Sequence, residues 1–259
     1  MLIYNVSNDK KMLYDLAKTD NILVKVFVAL QNITDETFKM LLQVDNYWVR
    51  WALAKNKHLN SEQISLLLKR TGNLDLLGKI AINCKLSSED INYLFNLVSS
   101  KLNGKNLAYN PYYRNDVYQI LFGIASQSDA SSEILQSIID YIKSLYVDAL
   151  EVYKDHDESC PIRTAHSHFK YDTSAIAAKI TIHKNASAKT IDDIVKFCVE
   201  TDTAIIRNVL QNGNTSIETL NYCEKNSSRI ACGIYREEIA NAIKNHPDYK
   251  IPIRLERKK

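Results

Sequence analysis

The sequence predicts an all-α solenoid of about seven helical pairs, spanning residues 1–259 as one domain. Three observations predict it. A unit of about 26 residues recurs: an acidic, Asn or Gly start, a short apolar helix, an Asn, a Ser/Thr/Asp/Asn cap, and a second apolar helix. Every periodic segment repeats at helical spacing and none alternates as a strand does. With only 6 Gly and 4 Pro, no linker divides the chain.

The unit starts fall at Asp20, Asp45, Gly72, Asp116, Asp172, Asp202 and Asn226. Four residues after each comes an apolar anchor: Val24, Val49, Leu76, Ile120, Ile176, Ile206 and Ile230. Five further on, a column of small residues reads Ala29, Ala54, Ala81 and Ala125, which lets neighbouring helix backbones approach. The column then reads Thr181, Gln211 and Tyr235, which implies looser packing in the later units. Asn32, Asn56, Asn83 and Asn212 close first helices, in the left-handed C-terminal conformation that Asn tolerates.

The second helices open at Thr34, Asn60, Ser87, Ser131, Ser187 and Thr215-Ser216. Such caps satisfy orphan amides of the first turn, worth roughly 1 kcal/mol each. The early Glu36, Glu62, Glu89 and Glu133 suit the helix dipole. The buried stripes follow at i, i+3, i+4: Phe38/Leu41/Leu42, Ile64/Leu67/Leu68, Ile91/Leu94/Phe95, Leu135/Ile138/Ile139 and Ile191/Ile194/Val195. Ser7 through Ala17 reads as the second helix of a truncated first unit, with Leu13 and Leu16 as its apolar pair.

The segment Leu41-Leu-Gln-Val-Asp-Asn-Tyr-Trp-Val-Arg-Trp-Ala-Leu-Ala-Lys-Asn56 resembles the leucine-rich-repeat-variant family, whose units run apolar helix, Asp, Val-Arg, Val-Ala, Asn-Pro. Leu16-Ala-Lys-Thr-Asp-Asn21 leading to Val24-Lys25 is a second match and Ile206-Arg207 a weaker third; the likeness is sharp over residues 13–95. It implies a right-handed α-solenoid close to HEAT repeats, an ARM-type superhelix, and no specific activity. The family's prolines are absent except at Pro247, and there is no N-terminal four-cysteine cluster of the kind that holds an iron–sulfur centre.

Composition narrows the function classes. The net charge of +3 is too balanced to demand a polyanionic partner. No apolar run approaches the roughly 18 residues of a membrane span. The start, Met1-Leu-Ile-Tyr-Asn-Val-Ser7, lacks the pattern of a signal peptide. Five cysteines share no metal-ligand spacing, so a reducing, cytoplasmic compartment is expected. The abundance of Asn, Ile, Lys and Tyr suggests an AT-rich bacterial or viral genome.

Two long intervals between unit starts mark inserts at about 99–116 and 154–172, both joining a second helix to the next first helix. They should emerge from one edge of the stack. The first carries Tyr109, Tyr112, Tyr113 and Arg114, candidate partner-binding residues because Tyr gives rigid amphipathic area at low entropy cost. The competing reading packs these tyrosines onto the helix ends. The second insert gathers His156, Cys160, His166 and His168 near Asp155, Asp157 and Glu158, a set of metal-ligand types without a recognised zinc spacing. Solvated loop histidines are the plainer explanation there.

The leading expectation is a non-enzymatic scaffold that binds a protein partner through its solenoid surface and loop-decorated edge, without cofactor. The alternative is a HEAT-like nucleic-acid-binding protein or alkylpurine DNA glycosylase-like enzyme, for which Trp48, Trp51 and Asp45 form the one suggestive cluster. At least one of those tryptophans is expected in the core. Against this alternative, acidic residues interrupt the basic ones along the second helices, so no uniform cationic stripe forms.

Overall fold

A computed structural model describes residues 9–101, 111–154, 173–198, 203–226 and 235–248, and all regular structure among them is helical. The helices are α1 Lys10–Ala17, α2 Ile22–Ala29, α3 Asp35–Leu42, α4 Tyr47–Lys55, α5 Ser61–Arg70, α6 Leu74–Asn83 and α7 Ser88–Lys101. Then follow α8 Pro111–Ala125, α9 Ser132–Lys154, α10 over 173–181, α11 Ala188–Cys198, α12 Thr203–Gln211, α13 Ile217–Lys225 and α14 Arg236–Asn245. None of the described helices is long and apolar enough to cross a membrane. The chain divides into two compact units, residues 1–176 and 177–259.

Alternate helices pack on each other. In the first unit α2 meets α4, α4 meets α6 and α6 meets α8, while α1 meets α3, α3 meets α5 and α7 meets α9. In the second unit α11 meets α13 and α12 meets α14. A helix of 8–10 residues is too short to persist alone in water. Each therefore depends on the apolar face it buries against its neighbours.

Sequence chemistry sets the helix ends. Thr34 and Ser216 accept from the amide three residues on, and Asn60 forms a full capping box with Gln63. Ser87, Ser131 and Ser187 do the same for Asp90, Ile134 and Thr190. The first helices have caps of their own that the repeat pattern did not disclose. Asn21, Asn46 and Asn73 each directly follow a unit start and accept from one or two first-turn amides.

The expected stripes form the core: Phe38, Leu41, Leu67, Leu94, Leu135, Ile138, Ile191 and Ile194 are all buried, and only Phe95 of the five triplets stays half-buried. The small-residue column is buried from Ala29 through Ala125, and Thr181 is buried with it. Helices α6 and α8 approach closely. A Cβ placed on Gly123 would sit 2.5 Å from the Ala81 Cβ, and one on Gly78 would sit 2.9 Å from the Gln119 Cβ.

Several expectations change. No described residue has a positive φ, so the helix-closing asparagines do not act through a left-handed backbone. Asn56 is extended, with φ −76° and ψ 113°. Its amide donates to the carbonyls of Ala29 at 2.8 Å and Gln31 at 2.7 Å, one repeat earlier, while its Oδ1 accepts from the His58 amide at 2.8 Å. Asn212 repeats the arrangement on Thr181 and His183, accepting from Asn214. Gln127 donates to Ala81 and Cys84 and accepts from Leu86. A buried carbonyl left unmade costs about 1–3 kcal/mol, so an amide side chain that spans two repeats fixes their register. Aligning Asn212 with Asn56 shifts the α12 register by one, placing Leu210 rather than the exposed Gln211 in the small-residue column. Val24, an expected anchor, is only half-buried. Helix α8 starts at Pro111, whose fixed φ and missing N–H suit a first helical position, so Asp116 lies inside a helix rather than at a unit start.

Candidate interaction surface

Helix α4 sorts its residues by side. Val49, Ala52, Leu53 and Ala54 turn inward and are fully buried. Tyr47, Trp48, Trp51 and Lys55 are left on the outer face. The Asn46 cap, accepting from Trp48 at 2.9 Å and Val49 at 3.3 Å, fixes where the first turn begins and hence which residues face out. Trp48 is 58% exposed, an unusual state for the largest apolar side chain.

The exposed aromatics are held in place. Tyr47 and Trp48 meet edge-on with centroids 5.1 Å apart, and Trp48 meets Trp51 edge-on at 6.2 Å. The Lys55 ammonium lies 4.1 Å over the Trp51 ring. The Tyr47 hydroxyl donates to Asp75 Oδ2 at 2.5 Å, tying α4 to α6. That hydrogen bond, with burial and the Asp75 charge behind it, pushes the Tyr47 phenol up to about 12. Asp75 pairs with Lys79 at 3.6 Å, and Lys79 donates to Gln119 Oε1 on α8 at 2.7 Å. Burial first, and the Asp75 carboxylate second, raise the Asp116 carboxyl. A polar string thus runs from α4 through α6 to α8 beside the aromatic group. Leu23, at the position of Trp48 one repeat earlier, is 78% exposed.

The Tyr47 phenol therefore stays protonated at neutral pH beside a carboxylate that is paired with Lys79. Elsewhere in the first unit, Cys84 lines a cavity of about 360 Å³ with Asn56, Leu59, Ile64 and Asn83, but burial pushes its thiol up to about 11. It donates weakly to the Ala54 carbonyl at 3.6 Å and is no ready thiolate. In the second unit an open groove of about 380 Å³ between α11 and α13 is lined by Lys189, Asp192, Lys196, Glu218 and Tyr222. Its lysines already pair with Asp193 at 2.8 Å and Asp192 at 2.5 Å.

The residues expected to carry a site fare differently. Tyr112, Tyr113 and Arg114 belong to the first turn of α8; their side chains, and Tyr109 altogether, lie outside the described residues. His156, Cys160, His166 and His168 lie outside them too. Among the described residues no group of three or more His, Cys, Asp or Glu could hold a metal ion. Trp48 and Trp51 do meet, but neither is buried in the core, and Asp45 pairs with Arg50 at 3.2 Å. Tyr47, Lys55 and Leu23 were missed; three aromatics within five residues directly after an Asn cap were the available signal.

No family model matches this chain, nor does any curated protein or solved structure.

Proposed function

We propose that this chain is a non-enzymatic α-solenoid scaffold of the leucine-rich-repeat-variant or HEAT-like kind, which binds a protein partner through the outer face of its first helices. The observation that carries the reading is Trp48, 58% exposed yet braced by Tyr47 and Trp51. An exposed tryptophan already held in one orientation loses little entropy on binding, and Trp and Tyr dominate the energetic centres of protein interfaces.

Trp48 and Trp51 also favour the nucleic-acid reading, since bases stack on exposed indoles. The nearby cations oppose it. Arg50 is paired with Asp45, Lys79 with Asp75, and Lys55 covers Trp51, so these charges are already engaged.

The test places a photo-crosslinking amino acid at Trp48 in native host cells and identifies what it captures. One recurrent protein, whose binding to the purified chain Trp48→Ala weakens by about 2 kcal/mol, supports the scaffold. Steeply salt-dependent retention of duplex DNA, lost in Trp48→Ala, replaces it with the nucleic-acid reading.

A further inference from the structure

Asn212 is followed by Gly213, and we propose that this pair is a self-modification site: the Asn212 side chain closes onto the Gly213 backbone nitrogen, sheds ammonia, and leaves an acidic residue where the register-setting amide stood. The nucleophile is accessible. Gly213 is exposed, a Cβ there would meet nothing within 4 Å, and among the described residues its N–H has no hydrogen-bond partner. Two neighbouring asparagines lack that opening. After Asn185, the Ala186 amide donates to the His183 carbonyl at 3.0 Å; after Asn214, the Thr215 amide donates to the Asn212 carbonyl at 3.0 Å. Alanine and β-branched threonine also crowd the attacking nitrogen as glycine does not.

The electrophile is prepared as well. Asn212 Oδ1 accepts from the Asn214 amide at 2.9 Å, so a donor already sits on the oxygen that takes up negative charge when its carbon is attacked. The leaving nitrogen is braked. Nδ2 donates to the Thr181 carbonyl at 2.7 Å and the His183 carbonyl at 3.3 Å, and both bonds must break before ammonia departs. Asn56 is the internal control. It makes the same three bonds, at 2.8, 2.7 and 2.8 Å, but it is 3% exposed where Asn212 is half-buried, and Lys57 follows it in place of glycine. One bridge is built to last and the other carries its own means of cleavage.

The reaction needs only water. The Gly213 nitrogen gives up its proton and bonds to Asn212 Cγ; the Cγ–Nδ2 bond breaks, and the amide nitrogen takes a proton and leaves as ammonia. Water then opens the cyclic imide, its hydroxyl adding to one carbonyl carbon and its hydrogen to the Gly213 nitrogen. Opening at Cγ gives aspartate, and opening at the main-chain carbonyl gives isoaspartate, which adds a methylene to the backbone. Neither ionised product has an N–H for the Thr181 and His183 carbonyls, and its carboxylate faces two partial charges of like sign. The change is therefore a one-way release of α12 from the end of α10. It is independent of the Trp48 face.

Peptide mapping by mass spectrometry, after weeks in mildly alkaline buffer, tests the proposal on the full chain. Asn212 should deamidate at least about tenfold faster than Asn56. Site-resolved mapping separates it from Asn103, also followed by glycine, which lies outside the described residues. Gly213→Ala meets no steric obstacle; it should slow the reaction at Asn212 at least about tenfold without lowering the urea midpoint. Asn212→Asp should reproduce the loss of hydrogen-exchange protection that the aged chain shows in residues 177–226. An Asn212 that lasts as long as Asn56 overturns the proposal, as does a rate that Gly213→Ala leaves unchanged. So does a rate no greater than the globally unfolded fraction times the rate in urea, because the folded site then contributes nothing.

Discussion

Both compact units fasten consecutive repeats with side-chain amides, and the first adds a close helix approach. In the first, α6 and α8 come close because Gly78, Ala81 and Gly123 offer no bulk, beside the Gln127 bridge to Ala81 and Cys84. In the second, three asparagines near the end of α12 reach back to α10 and the turn after it. Asn208 donates to Ala178 at 3.0 Å, Asn212 to Thr181 at 2.7 Å, and Asn214 to Ala186 at 2.9 Å. Thr181, at the column position held by Ala in the earlier repeats, is fully buried and donates to Ala178 at 2.9 Å. At Thr181 the column stays packed after it loses alanine, polar but satisfied, whereas Leu210 and Tyr235 at the later positions are half-buried. Close approach and amide bridging are therefore two solutions to one problem, setting the register between neighbouring helices.

The largest expected effect breaks the first solution. Gly123→Ala puts a Cβ 2.5 Å from the Ala81 Cβ and 2.7 Å from its carbonyl carbon, and backbone cannot give way as a flexible side chain would. The change should cost about 3 kcal/mol, the upper end of ordinary overpacking penalties, read as a lower midpoint in urea at unchanged slope. Gly72→Ala is the control, since a Cβ there meets nothing within 4 Å. Gly→Ala by itself lowers the entropy of the unfolded chain and stabilises, so equal losses at the two glycines would show that close approach does not explain the first.

Asn212→Ala attacks the second solution. It strips a partner from the Thr181 and His183 carbonyls and the Asn214 amide, so a loss of about 1–3 kcal/mol is expected. Hydrogen exchange should place the lost protection in residues 177–226 and spare α4 through α6. Asn56→Ala is the matching change in the first unit, where the residue is 3% exposed and both its donor bonds are short. Protection lost evenly along the whole chain after Asn212→Ala would mean that the units do not hold their registers separately.

How much of this was legible follows from range along the sequence. The buried triplets and second-helix caps are local, three or four residues apart, and Leu67, Leu94, Thr34 and Ser187 could be read directly. The amide bridges join residues 25 to 46 positions apart, Asn56 to Gln31 at the short end and Gln127 to Ala81 at the long one. No helical period carries such a pairing, so the asparagines were assigned to a local backbone role that they do not have. Gly78 and Gly123 were visible as two of only six glycines, but their contacts with Gln119 and Ala81 depend on how α6 and α8 pair. The aromatic face lay between these cases. Its residues were in plain sight, and which side they took rested on the Asn46 cap one residue before Tyr47.

The smallest expected effect concerns the tie between α4 and α6 on the outer face, where a repeat contact in the first unit uses a polar side chain. The Tyr47 phenol is raised to about 12, by its hydrogen bond to Asp75 first and burial second, against the ordinary 10 in the unfolded chain. A group raised on folding contributes stability in full below its unfolded value and loses it as pH climbs through the folded one. The contribution should therefore hold at neutral pH and fade between about pH 10 and 12. Tyr47 is more than a third exposed, so solvent screening keeps the contribution to about 1 kcal/mol or less. Tyr47→Phe should remove it, and the stability difference between parent and variant should shrink across that alkaline window. Tyr141 is also pushed up to about 12, by burial, and titrates in both proteins, so the difference between them isolates Tyr47. A difference that is constant from pH 7 to 12 would show that the hydroxyl contributes nothing, and that Tyr47 bridges the two helices by its ring alone.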